Sequence, residues 1–593
     1  MKTHPIHAVA RRSPVHPVTL GAGSRSGLKS SLDCRNPRRR LAVWLALGGL
    51  CLALARANAA DTTGTPSAGE TVALVALGPA TNLSSRVPEA KTWASGNPVV
   101  AEVVEGWVFG KRDGRAEITA QTKGGERSVF RIQVSPGRSL RPPPPASRSP
   151  MTFITRDGNQ LLEDGKPFRF LSCNVPNLHI IEDASWRQLA HLPAGKEPYF
   201  WHRITPAEQE DAVQTVAQLG GQVIRCYTLS VQGGRRNATG LAHYTGPGAP
   251  LTEELMQDYD HMIAICGRHR VRLILPVIDE WDWFGGRHEF AKLSGGGDFY
   301  TDRKVIGDFK DLIARLVNRV NTVTGVAYKE DPTILAWETG NELQRVPRAW
   351  TEEIAAWLKT QAPKQLVADG ANGSLVSLDD PNIDLVTDHF YGGRDFINRA
   401  MRSWARMGAK KVFYIGEYGC TDSDVELGTM DATLQNGLTG ALLWSLRFHS
   451  ADGGFYWHDE GGRNSAYHWP GFASNARSDE IHLLHGLREK AWAIRGFLPP
   501  PIQSPGAPVL LPHSTCAAIS WLGGVGAESY ELERSPDGKH WTPVAAGLLD
   551  CAEPFQPYAD QLAPAVGPVF YRMRAVNSAG RSAWSEMVKL RDS

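Results

Sequence analysis

The sequence predicts an α/β protein built on a (β/α)8 barrel and flanked by two small all-β sandwich domains. Three observations predict it. Between residues 151 and 500 there are eight strand-like apolar runs, and helical patterns separate most of them. On either side of that region, apolar and polar residues alternate with period two between Gly-rich and Pro-rich turns. At 593 residues the chain is also too long for one core.

Taken in order, residues 1–59 read as a secretory signal. "RNPRRR" (35–40) is a basic stretch, "LAVWLALGGLCLALA" (41–55) an apolar one, and "ANA" (57–59) a small-residue cleavage site. The apolar run is short of the roughly 20 residues that span a membrane. Its basic flank is unusually long, which leaves the translation start open. Cys51 follows Leu50, where a lipoprotein site calls for a small residue. A secreted chain, extracellular or periplasmic, without a membrane anchor is expected. Residues 68–137 alternate as a β-sandwich, and 138–150, with "RPPPPASRSP" (141–150), form a stiff extended linker. Residues 503–593 form a second all-β segment, with "SYELERSPDGKHWTPV" and "VFYRMRAVNSAGRSAWSE" as its strands.

The barrel strands are expected at 168–174, 222–227, 272–279, 333–342, 366–372, 385–391, 412–419 and 440–448. Helices at 253–269 and 308–321 carry apolar residues at spacings of three and four. A doubly wound sheet is disfavoured, because no GxGxxG follows the first strand. Composition is that of a soluble globular protein, 42% hydrophobic and 21% charged with net charge +2, which gives no reason to expect a nucleic-acid partner. Six cysteines follow the signal, with no metal-like spacing. Cys516 with Cys551 is the favoured disulfide, since both fall in the last segment.

In such a barrel, strand C-terminal ends build the active site. Here they deliver Asn174, Arg225, Asp279, Asn341 with Glu342, Asn372, His389 with Tyr391, Glu417 and Trp444. One such group is commonly a satisfied buried polar residue; eight on one face argue for a site. Glu342 and Glu417 fall three βα repeats apart, across the mouth from each other. Two carboxyls facing one acetal bond are what glycoside hydrolysis requires. Glu342 is expected to have a pKa raised by burial, as suits an acid. Glu338, four residues earlier, is expected to be a deep, paired structural carboxylate. Asp279 and Glu280 precede "WDWFGG", whose Trp281 and Trp283 are expected to touch sugar.

"YKEDPTILAWETGNEL" (328–343) and "YIGEYG" (414–419) resemble glycoside hydrolase family 5, and "RLILPVIDEWDWFGG" (272–286) with "DFYTD" (298–302) resembles its endo-β-1,4-mannanases. The first β segment resembles bacterial Ig-like group 2 domains and the last resembles fibronectin type III domains. The family resemblance implies Glu342 as acid/base and Glu417 as nucleophile. It further implies Asn341 on the sugar 2-hydroxyl, Arg225 keeping Glu417 ionised, His389 and Tyr391 beside Glu417, and Trp444 as the floor. It implies a retaining double displacement with no metal or cofactor, and a β-mannan or related β-glycan as partner; a monomer is expected. Three departures stand out. Leu343 replaces the family's usual Pro, "ADGANG" (368–373) replaces a glutamate-bearing turn, and the loop at 447–472 is long and rich in His and aromatics. That loop makes an exo-β-mannosidase a live alternative, beside a β-1,4-glucanase and, from another class, a non-catalytic carbohydrate-binding protein.

Overall fold

Eight parallel strands close into the barrel: β1 Phe170–Asn174, β2 Val223–Arg225, β3 Arg272–Pro276, β4 Ile334–Glu338, β5 Leu366–Asp369, β6 Leu385–Tyr391, β7 Val412–Gly419 and β8 Gly440–Leu443. The structure is a computed structural model and describes residues 71–590, apart from 146, 148, 192–198, 235–239, 394, 459–465, 473–478, 553 and 565–566. The expected signal segment lies outside the described residues. Closure comes from β1, which pairs β2 through Cys173 and Asn174 and β8 through Phe170 to Cys173. β6 and β7 have the expected bounds, whereas β4 stops at Glu338 and β3 at Pro276, short of the polar residues assigned to them.

The barrel is a packed core closed at one end. Phe170, Val223, Ile274, Ala336, Ala368, Tyr414 and Leu442 share one buried cluster with Leu161 and Phe168 of an antiparallel sheet preceding β1 and with Ile154 just before that sheet. That apolar plug fills the N-terminal mouth, so polar side chains gather at the other end. Helix α1, Glu253–His269, has the predicted bounds. Helix α2 runs Arg303–Val317 and not 308–321: the Asp302 carboxylate caps it by accepting from the Lys304 and Val305 amides, and Asn318 ends it.

The first β segment forms two sheets on a shared core of Leu74, Val108, Ile118 and Phe130. It docks on two barrel helices, α3 Phe396–Met407 and α4 Ser423–Asn436. Trp107 Nε1 donates to Asn398 (2.8 Å), the Ile397 amide donates to Glu105 (2.9 Å), and Lys111 pairs with Asp431 (3.2 Å). The linker packs as well: Arg141 forms a β-bridge with Phe497 and lies over its ring. The last segment forms a five-stranded and a two-stranded sheet around Trp521, Tyr530, Tyr571 and Met573. The expected Cys516–Cys551 disulfide is not formed. Cys516 belongs to that core, while Cys551 packs with Phe455 and Phe472 of the long loop after β8.

Candidate active site

Arg225 ends β2 with no solvent exposure, and a buried guanidinium must find carboxylates. Its Nε and Nη2 donate to Glu338 at 2.8 and 3.0 Å, and its Nη1 donates to Glu417 at 2.6 Å. Nη2 also donates to Asn341 Oδ1 at 2.7 Å. Glu338 is therefore the deep structural carboxylate expected, fully buried and clasped by one guanidinium.

Glu342 lies four residues past the end of β4, in a turn where its own φ is +51°. Two contacts fix that turn. The Asn341 and Asp279 backbones form an isolated bridge, and Asn341 Nδ2 donates to Asp279 Oδ1 at 2.9 Å. The Leu343 amide donates to Gly370 O at 2.9 Å, and Leu343 bridges Ala371. Two of the three departures thus meet: a proline at 343 would have no N–H for this bond, and the small residues of "DGA" let the β5 end come close. The Glu342 carboxylate accepts from His389 Nδ1 (2.8 Å) and from the Trp281 indole (2.7 Å).

His389 Nδ1 also lies 3.4 Å from Glu417 Oε2, and the Tyr391 hydroxyl donates to that same oxygen. Gly416 is required here, because a Cβ would stand 2.6 Å from His389 Nε2 and 2.4 Å from Thr387 Oγ1. One atom each of Glu342, His389 and Glu417 lie within 4.8 Å of one another, and so do Glu182, Asp183 and His458. Either set has the donor types of a cation site. In both, however, a guanidinium already faces the carboxylates, Arg225 on Glu417 and Arg447 on Asp183 at 2.7 Å.

The expected charge states are corrected. Burial pushes the Glu342 carboxyl up, but the His389 hydrogen bond and charge, the Trp281 N–H and Arg225 outweigh it and hold it at about 2. Burial pushes Glu417 up; His389 and Arg225 pull it down, Glu342 adds to the rise, and the net direction is upward. Arg225 does not hold Glu417 low, because burial outweighs its charge. Burial lowers His389, yet Glu417 and Glu342 bring it above the ordinary value. Two carboxyls and one imidazole so close titrate as a unit.

The structure brings together every site residue expected from sequence. Glu342, Glu417, Asn341, Tyr391, Trp444, Trp281 and Trp283 line one cavity, and Arg225 and His389 lie directly beneath its carboxylates. Asn174 is fully buried below, donating to the Gly416 and Leu442 carbonyls, and Asn372 accepts from the His389 amide. Sequence reasoning missed Tyr227, Glu182 and His458, which also line the cavity. Tyr227 follows Arg225 by two, the spacing of one strand face, and bonds Asp279 at 2.9 Å. Glu182 carries no motif, and His458 lies in the loop singled out only for its composition.

Residues 289–394 match the family model described as GH family 5 beta-mannosidase-like. The match contains Glu338, Asn341, Glu342, His389 and Tyr391. The chain is 32% identical over 264 residues to mannan endo-1,4-beta-mannosidase 8 of Oryza sativa subsp. japonica, covering 41% of this chain and 64% of that protein. It is 28% identical over 269 residues to mannan endo-1,4-beta-mannosidase 7 of the same organism, covering 42% and 62%. The chain thus spans less than two thirds of the length of either relative. Among solved structures, a glycoside hydrolase family 5 mannosidase from Rhizomucor miehei aligns at 19% identity with a TM-score of 0.46, over 58% of this chain and 99% of that one.

Proposed function

We propose that the chain is an exported retaining glycoside hydrolase that cleaves β-1,4-mannosidic linkages. The observation that carries the mechanism is the approach of one carboxylate oxygen of Glu342 and one of Glu417 to within 4.8 Å. Retaining glycosidases hold their carboxyls about 5 Å apart, whereas inverting ones leave about 6.5–9.5 Å for a water. The names of the relatives, mannan endo-1,4-beta-mannosidases, support the substrate class.

In the first step Glu417 attacks the anomeric carbon and forms a glycosyl ester. The bond to the glycosidic oxygen breaks, and that oxygen takes a proton from Glu342. In the second step water attacks the same carbon, giving its proton to Glu342 and releasing the Glu417 carboxylate. The acid needs a proton, whereas its surroundings hold the Glu342 carboxyl low. The His389 Nδ1–H, 2.8 Å from Glu342, is the store. Once Glu342 is protonated, its charge no longer raises Glu417, so protonating the acid favours the ionised nucleophile.

The test is release of reducing ends from linear β-1,4-mannan, galactomannan and cellulose, with Glu417→Gln as control. Release from the mannans, absent in the control, is expected. Release from cellulose alone would overturn the substrate class, and none from any of them would overturn the activity.

A further inference from the structure

We infer that Glu182, held by Arg447 and His458, closes the sugar pocket on its non-reducing side, so that the chain removes one terminal sugar at a time. The inference rests on the proposed mannosidic chemistry and adds the place along the glycan where cleavage falls.

The cavity that contains Asn341, Glu417 and Trp444 has a volume of about 210 Å³. Pockets for drug-sized ligands run to roughly 300–1,000 Å³, so this one suits about a single sugar ring. Glu342 and Trp281 also border a neighbouring depression of about 550 Å³ that reaches Arg345 and Asn372. The leaving group therefore has an open side next to the acid. Glu182, Trp283 and His458 line the smaller cavity and not the depression beside the acid.

The wall at Glu182 is firmly built. Glu182 is 3% exposed on the short strand Ile181–Asp183. The Trp283 indole donates to it, and Arg447 Nη2 and His458 Nδ1 lie 3.6 and 3.7 Å away. Its neighbour Asp183 binds Arg447 Nε at 2.7 Å and His458 Nδ1 at 2.9 Å. Two carboxylates facing a guanidinium and an imidazolium give a cluster of no net charge, suited to a neutral sugar. The chemistry of the wall also discriminates. An ionised carboxylate only accepts hydrogen bonds. It can bind a free terminal hydroxyl, but the same oxygen in an internal ring is an ether with no proton, carrying a further sugar into the wall. A site built to bind a hydroxyl rejects a group that lacks it.

The experiment follows linear mannopentaose labelled at its reducing end, digested by the chain and by Glu182→Gln. The wild type is expected to release only mannose, with the label on chains that shorten one ring at a time. Glu182→Gln is expected to lose roughly 10- to 100-fold in kcat/KM, the worth of a hydrogen bond to a charged group. Because an amide can also donate, its ratio of internal to terminal cleavage should rise, which a purely structural role would not produce. His458→Gln keeps the carboxylate, loosens its support and should show a smaller loss of the same kind. Labelled di- and trisaccharides as first products of the wild type would overturn the inference and leave the mannosidase reading intact. No consumption of the pentaose would overturn that reading itself. Wild-type rates and products in both variants would remove Glu182 from the role.

Discussion

Glu342 and Glu417 share their proton inventory with His389, and the reaction depends on where that proton sits. Glu417→Gln keeps the shape of the side chain and removes the attacking oxygen. Turnover should vanish while the thermal melt and sugar affinity stay near wild type, and residual turnover above background would end the nucleophile assignment. Glu342→Ala should slow natural glycosides far more than substrates with an activated leaving group, which need little acid assistance; equal losses would remove Glu342 from the acid role. The two largest influences that lower Glu342 both come from His389. In His389→Gln the Glu342 carboxyl should therefore rise from about 2 toward the ordinary range, read by carboxyl-carbon NMR titration. An unmoved titration would contradict the shared proton. The identities of these residues were legible, because "ETGNEL" and "YIGEYG" place them at strand mouths. Their charge states were not. They depend on burial and on His389 facing both carboxylates, contacts between strands far apart in sequence.

At the scale of elements, periodicity located all eight barrel strands, because each is a short apolar run and helical segments separate most of them. What it could not show is that β4 ends at Glu338 and that the following turn, not the strand, presents the acid. The φ of +51° at Glu342 and the bond from Leu343 to Gly370 are properties of two strand ends meeting. Leu343 is 2% exposed, so its amide has no access to water as an alternative partner. Leu343→Pro should cost about 1–3 kcal/mol, the penalty for a buried acceptor left without its donor. Activity should fall as well, as the turn carrying Glu342 loosens. A variant with unchanged chemical denaturation midpoint would show that the bond does not hold the turn. The start of α2 was misplaced for a simpler reason: Asp302 caps it, so the helix begins before the apolar periodicity is evident.

Across the whole molecule, the flanking β segments are docked and not strung on a spacer. The Pro-rich stretch reads as a stiff extended linker because proline favours extended chain, and in the fold Arg141 ties it to Phe497. At the other end, His449 of the loop after β8 joins barrel and last segment: Nδ1 lies 2.9 Å from Asp211, and Nε2 lies 3.2 Å from Asp550, which also binds the Tyr530 hydroxyl. Burial lowers His449, but Asp211 and Asp550 raise it to about 10, and Asp183 does the same for His458. Both folded-state values lie above the unfolded one. Their stabilisation is therefore complete below about pH 6.5 and is lost as pH rises toward about 10. The melting temperature should fall across that window, and His449→Gln should be less stable at pH 6 with a flatter decline; a parallel decline would contradict the bridge. The central claim concerns the reaction as a whole, two carboxylates close enough for a covalent intermediate. Proton NMR of the anomeric region during early hydrolysis of a β-mannoside tests it most directly. The β-anomer forming first, with the α-anomer growing only by mutarotation, is the predicted result; the α-anomer forming first would contradict the double displacement.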